Sequence, residues 1–281
     1  MNPTVAVIAQ GAMGAGVGGR LVERGLRVVT SVEGRSAASA QRAADKGMVA
    51  VSDEECAKAD VFLSILPPSD ALGLAEKMAA MIAKSNHKPI YVDCNAVSPP
   101  TKVEIGNVIL KAGSPFVDVG IIGLPPRPNS DGPVMIVSGP ESAKFMPLAD
   151  FGLNLRMVDG PIGAASAVKM SYAGITKGVT ALGSMMMLAS TRGGVAAELR
   201  TQLERSHPYF MQNFNRAVPE MFDKAYRFVG EMEEIADFVG EDPQAKQMYL
   251  AFADFYRRMA ADVEGQRQET DALAAFLKPK Q

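Results

Sequence analysis

The sequence has few residues of the kinds that build metal, redox or disulfide sites. Among its 281 residues there are two cysteines and two histidines. Cys56 and Cys94 have neither metal-binding nor redox-motif spacing, so we expect two free thiols and a reducing compartment. His87 and His207 are far apart, and no HExxH motif or clustered ligand set occurs, so we expect no metal ion.

The sequence also lacks an excess of either charge and a long hydrophobic run. Lysine and arginine total 29 against 31 aspartate and glutamate, whereas nucleic-acid-binding proteins usually carry a basic patch. After the N-terminal segment, the longest uncharged stretch runs from Gly178 to Thr191 and is shorter than the ~20 residues that span a bilayer. The N-terminus has no basic region before its short apolar run, which argues against a signal peptide. We therefore expect a cytoplasmic protein with no nucleic-acid or membrane partner.

The first half of the chain alternates short β-rich runs with helical patterns. The predicted strands are Val5 to Ala9, Leu26 to Val32, Val61 to Leu66, Pro89 to Asp93, Phe116 to Gly120 and Val134 to Gly139. The predicted helices are Met13 to Arg24, Ala37 to Lys46, Asp70 to Ala83 and Thr101 to Lys111. This alternation predicts the α/β class, with a doubly wound, mostly parallel sheet covered by helices on both faces.

The second half changes character near Pro161. From Ala164 onward no strand pattern occurs, and a long helical segment reaching Thr191 carries only Lys169 and Lys177 as charges. A helix that is apolar nearly all round is a buried helix. The pattern predicts a first domain over residues 1–160 and an all-α domain over residues 161–281, which begins with this long connecting helix.

A glycine-rich turn follows the first predicted strand and opens a helix. Its sequence AQGAMG is a variant of GxGxxG with Ala9 in the first position. Gly11 would let the backbone approach a pyrophosphate, and Gly14 would let the helix pack closely on the strand. The amides of the helix N-terminus would bind the phosphates. The segment predicts a Rossmann domain that binds a dinucleotide, or alternatively a tight turn without a ligand; the binding residues would be Ala9, Gln10, Gly11, Ala12, Met13 and Gly14.

The end of the second predicted strand should meet the adenosine ribose of such a dinucleotide. An acidic residue there usually binds the ribose hydroxyls of NAD, whereas an arginine accommodates the 2′-phosphate of NADP. The segment offers both, as Glu33 and Arg35, and Ser36 would complete a phosphate site beside Arg35. We favour NADP over NAD as the cofactor. The alternative is that Glu33 and Arg35 are solvated loop charges.

Several segments, taken together and in order, resemble the β-hydroxyacid dehydrogenase superfamily. They are AQGAMG, SILPPSDA, VDCNAVSPP, FVDVGIIG, GPVMIVSG and GPIGAASAVKMSYA, and they span roughly Val5 to Gly178. The superfamily includes 3-hydroxyisobutyrate dehydrogenase and 6-phosphogluconate dehydrogenase. The C-terminal part is similar to a divergent branch with a dehydrogenase-like domain of unknown function. The resemblance implies a Rossmann domain, a connecting helix, an all-α domain for substrate binding and dimerisation, and a homodimer.

The resemblance also implies roles for particular residues. Leu66 and Pro67 match the loop beside the nicotinamide ribose. Asn95 stands where the substrate loop DxSTxxP has its serine, with Ala96 at the threonine. In the second substrate loop, Ile122 takes a serine position and Gly123 follows it.

The lysine of the connecting helix is the implied catalytic residue. Counted from Gly160, the pattern GxxGxxxxxK ends at Lys169. Tyr172, three residues later, would either assist as a second donor or serve only in packing. Ala173 replaces the asparagine expected one turn later. The replacements make the pocket more apolar, so a larger or less polar substrate than a short hydroxyacid is equally plausible.

These observations lead to one principal hypothesis and two alternatives. The principal one is an NAD(P)-dependent dehydrogenase or reductase that acts on a C–OH/C=O pair of a small molecule, with Lys169 as proton donor or acceptor. The first alternative is an imine reductase on the same fold, although such relatives often replace this lysine. The second is a dinucleotide-binding dimer without catalysis.

Overall fold

The computed structural model describes residues 2–8 and 11–278 of the chain. Ala9 and Gln10, two residues of the predicted dinucleotide turn, lie outside the described residues. The chain divides into two compact units, Met1–Met170 and Ser171–Gln281. The division falls inside the connecting helix rather than before it, so the first turns of that helix belong to the sheet-containing unit.

The described part of the first unit forms one eight-stranded sheet. Its strands are β1 (Thr4–Ile8), β2 (Arg27–Thr30), β3 (Val49–Ala50), β4 (Val61–Ser64), β5 (Ile90–Asp93), β6 (Phe116–Ile122), β7 (Val134–Ser138) and β8 (Asn154–Met157). Their order across the sheet is β3-β2-β1-β4-β5-β6-β7-β8. Every neighbouring pair is parallel except β6 with β7, which is antiparallel. The predicted fold class, a doubly wound and mostly parallel sheet, is confirmed.

Helices cover both faces of this sheet. In the first unit they are α1 (Ala12–Glu23), α2 (Ala37–Asp45), α3 (Asp53–Cys56), α4 (Ala71–Lys84) and α5 (Pro99–Lys111). Side chains alternate along β1, so that Val5 and Val7 join the core beneath α1, whereas Ala6 and Ile8 join the core beneath α4 and α5. A strand buried on both faces needs apolar residues at consecutive positions, which explains the unbroken apolar runs in the sequence.

The remaining helices begin with the long α6 (Ala164–Arg192). The second unit continues with α7 (Ala196–Ser206), α8 (Pro208–Phe222), α9 (Ala225–Phe238), α10 (Pro243–Glu264) and α11 (Gln268–Leu277). Small residues of α6 admit aromatic side chains of this unit at close range, since a methyl group added at Gly178 would lie 3.3 Å from Phe252. Lys177 of α6 pairs with Glu231, and its carbonyl accepts a hydrogen bond of 2.7 Å from Tyr256.

No helix in the described part of the chain is both long enough and apolar enough to cross a membrane.

Candidate active site

The N-terminus of α1 presents backbone amides to open space. Gly11 precedes the helix in an extended conformation, no side chain caps the helix there, and its first turn holds no acidic residue. Among the described residues, a Cβ atom added at Gly11 would meet nothing within 4 Å beyond its chain neighbours, and Gly11 and Ala12 are exposed. The first amides of a helix have no intrahelical partner and bind anions well. These residues therefore fit the diphosphate of a dinucleotide.

The carboxyl end of β2 lies in the neighbouring part of the sheet, beside β1. Ser31 is buried directly after the strand and accepts a hydrogen bond of 3.3 Å from the backbone amide of Glu33. Glu33, Arg35 and Ser36 are exposed. The hydroxyl of Ser36 caps α2 by accepting a hydrogen bond of 3.3 Å from the amide of Ser39. The predicted ribose-binding residues are therefore grouped at this strand end.

Asn95 joins the loop after β4 to the loop after β5. Its Oδ1 accepts a hydrogen bond of 2.5 Å from the amide of Leu66, and its Nδ2 donates to Ser64 Oγ (2.8 Å) and Asp93 Oδ2 (2.7 Å). Only 2% of Asn95 is exposed, whereas Pro67 faces solvent. The observed bonds give Asn95 a role in holding these two loops together, and its contact with substrate stays a prediction.

Lys102 is a fully buried ammonium that the sequence analysis did not single out. It donates to a carboxylate oxygen of Asp93, to the Asp93 carbonyl (3.0 Å) and to the Asn95 carbonyl (3.2 Å), and lies 3.6 Å from Asp118. Burial alone would lower the pKa of Lys102, but Asp93 and Asp118 raise it above its usual value. Lys102 therefore remains charged inside the domain.

Asp118 of β6 fixes the beginning of α6. Its carboxylate accepts hydrogen bonds from the amides of Gly163 (2.9 Å) and Ser166 (3.2 Å), and from the Ser166 hydroxyl (2.9 Å). It also accepts one from Ser138 Oγ at 3.0 Å, and Ser138 in turn accepts one from the amide of Ala165 at 2.9 Å. A carboxylate at a helix N-terminus is stabilised by the unpaired amides and by the helix dipole. The carboxyl end of β5, strand β6 and the start of α6 thus share one polar cluster.

Lys169 lies on the turn of α6 that packs against β6. A methyl group added at Gly120 of β6 would lie 2.9 Å from Lys169 Cβ and 2.7 Å from the Ala165 carbonyl. The two glycines of the predicted pattern have φ angles of 155° at Gly160 and 102° at Gly163. Residues other than glycine rarely adopt such angles. This requirement explains why glycine stands at both positions.

The other residues of the predicted substrate site lie at two places. Ile122 is partly buried at the end of β6, and Gly123 follows it with a φ angle of 125°. Both continue the strand whose Gly120 packs on Lys169. Tyr172 belongs to the second unit and is 51% exposed on α6. Within the first unit the structure brings Lys169 and the β6 segment together, while binding by each predicted residue stays a prediction.

Comparison with known proteins identifies both parts of the chain. A family model described as the NAD binding domain of 6-phosphogluconate dehydrogenase matches residues 4–149. A model described as a domain of unknown function (DUF1932) matches residues 191–259. An uncharacterized 28.5 kDa protein of Methanothermus fervidus is 30% identical over 217 residues, which cover 76% of this chain and 82% of that protein.

Solved structures share the fold. A conserved protein of unknown function, described as similar to 3-hydroxyacid dehydrogenases, is 30% identical with a TM-score of 0.70, over 92% of this chain and 99% of its own. Mycobacterium tuberculosis 3-hydroxyisobutyrate dehydrogenase, solved with L-serine, is 18% identical with a TM-score of 0.75, over 98% and 99% of the two chains. An imine reductase variant of Myxococcus stipitatus in complex with NAD+ is 18% identical with a TM-score of 0.59, over 99% and 100%.

The family models, the glycine turn and the clustered motifs around Asp118 and Lys169 agree with one another. The chain belongs to the β-hydroxyacid dehydrogenase superfamily, with a nicotinamide-dinucleotide-binding domain of the 6-phosphogluconate dehydrogenase kind followed by a DUF1932 domain.

Proposed function

We propose that this protein is an NAD(P)-dependent oxidoreductase that interconverts a C–OH group and a C=O group of a small molecule. The observation that carries the proposal is the position of Lys169. Its Cβ lies against Gly120 of β6, on a helix whose first turn is held by Asp118. A lysine fixed in this way at the end of a parallel sheet is suited to proton transfer, because ligands of open α/β sheets bind outside the carboxyl ends of the strands.

In the proposed reaction, the coenzyme and separate groups of the protein have different roles. When bound, a nicotinamide dinucleotide supplies a hydride to the carbonyl carbon or accepts one from the alcohol carbon. The Lys169 ammonium donates a proton to the carbonyl oxygen as negative charge develops on it; in the oxidative direction the neutral amine removes the hydroxyl proton. The amides of Gly11 to Gly14 would hold the diphosphate, and Leu66 and Pro67 would border the nicotinamide ribose.

Two features of the site bear on its ligands. Arg35 and Ser36 at the exposed end of β2 support NADP as the preferred coenzyme. A guanidinium and a hydroxyl bind a phosphate better than they bind the two hydroxyls of a ribose. Ile122 and Ala96 occupy positions where the superfamily has hydroxyl groups. Their apolar side chains support a substrate that is larger or less polar than a short hydroxyacid.

Substitution of Lys169 tests the proposed reaction. Aldehydes, ketones, β-hydroxyacids and cyclic imines would be screened with both coenzymes by the change in nicotinamide absorbance. For a carbonyl substrate, we expect Lys169→Met to lower kcat by about 100-fold or more, the usual contribution of a general acid, with coenzyme affinity retained. Lys144→Met, in an exposed pair with Glu141, is the matched control and should leave kcat unchanged. Unchanged turnover in Lys169→Met would contradict the mechanism.

The same screen separates the alternatives. Turnover of cyclic imines without turnover of carbonyl compounds would favour an imine reductase, the activity named for one of the proteins that share the fold. Saturable coenzyme binding without turnover of any compound would favour a binding protein that has no catalytic activity. Retention of Lys169 supports the carbonyl reaction over both.

We also propose that the protein is a homodimer assembled through its helical part. Helix α6 carries an exposed apolar stripe that consists of Val168, Tyr172, Ile175, Val179, Leu182 and Met186, of which Val179 is partly buried. The spacing alternates between four and three residues, which is the pattern that two helices use when they pack side by side. The stripe carries no charge, so two copies of it meet without like-charge repulsion.

A further inference from the structure

Lys77 of α4 reaches the end of β2 although it lies far from that strand in the sequence. Its ammonium donates to the carboxylate of Asp53, the first residue of α3. Asp53 is also hydrogen-bonded to the side chain of Ser31, which directly follows β2. The charges of Glu33 and Arg35 lie close enough to act on Lys77. The ammonium is therefore part of the charge cluster to which the sequence assigns coenzyme choice.

The two partners of this ion pair differ in exposure. The Asp53 side chain is 8% exposed, whereas that of Lys77 is 51% exposed. Asp53 is therefore a fixed anchor, and the ammonium that it holds still faces solvent. An ammonium has three donor protons, so a bond to Asp53 leaves it able to donate to a second acceptor. The hydrogen bond with Asp53 raises the pKa of Lys77 above its ordinary value.

The charges at the end of β2 indicate why Lys77 would matter for binding of a 2′-phosphate. Glu33 and Asp53 are two carboxylates beside the position of the adenosine ribose, and alone they would favour the 2′-hydroxyl of NAD and repel the 2′-phosphate of NADP. Arg35 supplies one compensating positive charge, and Lys77 supplies the second. Loss of Lys77 would remove one positive charge beside these carboxylates, and a doubly charged phosphate would bind less well.

We propose that Lys77, held in place by Asp53, is a coenzyme-specificity residue that binds the 2′-phosphate of NADP(H) together with Arg35. The inference rests on the proposed function, because it assumes that a nicotinamide dinucleotide occupies the carboxyl edge of the sheet. It adds a residue from α4 and an anchor from α3 to a site that the sequence assigned to the loop after β2 alone.

Separate titrations of the full-length protein with NADPH and NADH, followed by nicotinamide fluorescence, test the proposal. The variants are Lys77→Met, Lys77→Gln and the control Lys84→Met, whose exposed lysine lies at the end of the same helix. We expect Lys77→Met and Lys77→Gln to raise the Kd of NADPH about tenfold, the equivalent of one charge-assisted contact, and to change that of NADH less than twofold. Lys84→Met should leave both values unchanged. The glutamine amide can still donate to Asp53, so Lys77→Gln guards against misfolding, which a thermal melt of each variant would detect.

Other results of these titrations would contradict either the role of Lys77 or the proposed function. The proposal is overturned if the wild type binds NADH more tightly than NADPH, if the Lys77 variants weaken both coenzymes equally, or if they leave the Kd of NADPH unchanged. A wild-type protein that binds neither coenzyme contradicts the proposed function, not the assignment of Lys77 alone. Adenosine 2′-monophosphate and adenosine as competitors separate recognition of the phosphate from recognition of the nucleoside, and the Lys77 variants should lose affinity only for the former.

Discussion

Three lysines of the first unit have very different surroundings. Lys102 is fully buried between two carboxylates, Lys77 is half-exposed with one carboxylate as its anchor, and Lys169 packs its stem against a glycine of β6. A buried, doubly paired ammonium holds structure together, because moving it or its partners leaves an unpaired charge. The Lys77 side chain is half-exposed and remains accessible to solvent. The presence of a lysine therefore says little about its role, whereas the acidic groups beside it indicate whether it stabilises the fold or faces solvent.

Replacement of Lys102 should destabilise the first unit severely. Lys102→Met leaves Asp93 and Asp118 as buried carboxylates without their cation, and breaking such a pair costs about 3–5 kcal/mol of unfolding free energy. Urea denaturation followed by circular dichroism measures the loss. Lys111→Met, at an exposed position of the same helix, is the control and should change stability by less than about 0.5 kcal/mol. A loss below about 1 kcal/mol for Lys102→Met would show that the cluster adds little to stability.

Single residues were predictable where backbone geometry or composition demands them. The glycines at positions 160 and 163 need positive φ angles, and the cysteines are free and buried. Burial, together with nearby acidic groups, raises the pKa of Cys56 to about 12, which keeps it a thiol. Lys102 was missed although it shares the apolar face of α5 with Ile105 and Ile109, three and seven residues later. A charged residue in register with an apolar stripe is the signal that would have found it.

At the scale of elements, α6 serves two purposes in different parts of its length. Its first turns lie on the sheet, where Asp118 and Ser138 bind the N-terminal amides. Further along, Gly174, Gly178 and Gly183 admit aromatic side chains of the second unit. A further, apolar stripe of the same helix is exposed. The apolar composition of α6 on nearly all its faces is explained if a second copy of the chain covers the exposed stripe, as the proposed dimer requires.

A charge in the middle of the exposed stripe should prevent the proposed dimer. Leu182 is 54% exposed, so Leu182→Glu should not disturb the fold of one chain, but it would place two carboxylates in a paired interface. Sedimentation equilibrium should give a dimer for the wild type and a monomer for Leu182→Glu. Glu198→Gln, at an exposed position of α7, is a surface control that should remain dimeric. A monomeric wild type, or a dimeric Leu182→Glu, would contradict assembly through this stripe.

Element prediction succeeded for long, strongly patterned segments and failed for short ones. Six strands lie at the predicted places, but β3 and β8 were missed because β3 has two exposed residues and β8 is only partly buried. These edge strands are also short, with two residues in β3 and four in β8, so they give little signal in the sequence. Helix α3 was also missed, although Ser52 and Glu55 form a capping box that marks a helix start in sequence.

At the scale of the molecule, the site is built from segments that are distant in sequence. Residues from β5, α5, β6, β7 and α6 meet around Asp118, and residues from the loop after β2, from α3 and from α4 meet around Asp53. Motif spacing located the glycine turn and Lys169, because each is a local pattern. The two polar clusters could not be predicted, since they depend on how strands far apart in the sequence are ordered in the sheet.

The proposed function requires that the backbone amides at the start of α1 hold a dinucleotide diphosphate. Titration of NADPH against the wild type and Gly11→Ala tests this binding, because a methyl group at position 11 would meet nothing within 4 Å among the described residues beyond its chain neighbours, and the φ angle of Gly11, -68°, is one that alanine adopts freely. We expect saturable binding by the wild type and an affinity about tenfold or more weaker in Gly11→Ala, at unchanged thermal stability. Gly230→Ala, in open space on α9, should bind as the wild type does. A wild type without saturable affinity for NADPH or NADH, or a Gly11→Ala variant that binds as tightly as the wild type, would contradict the account.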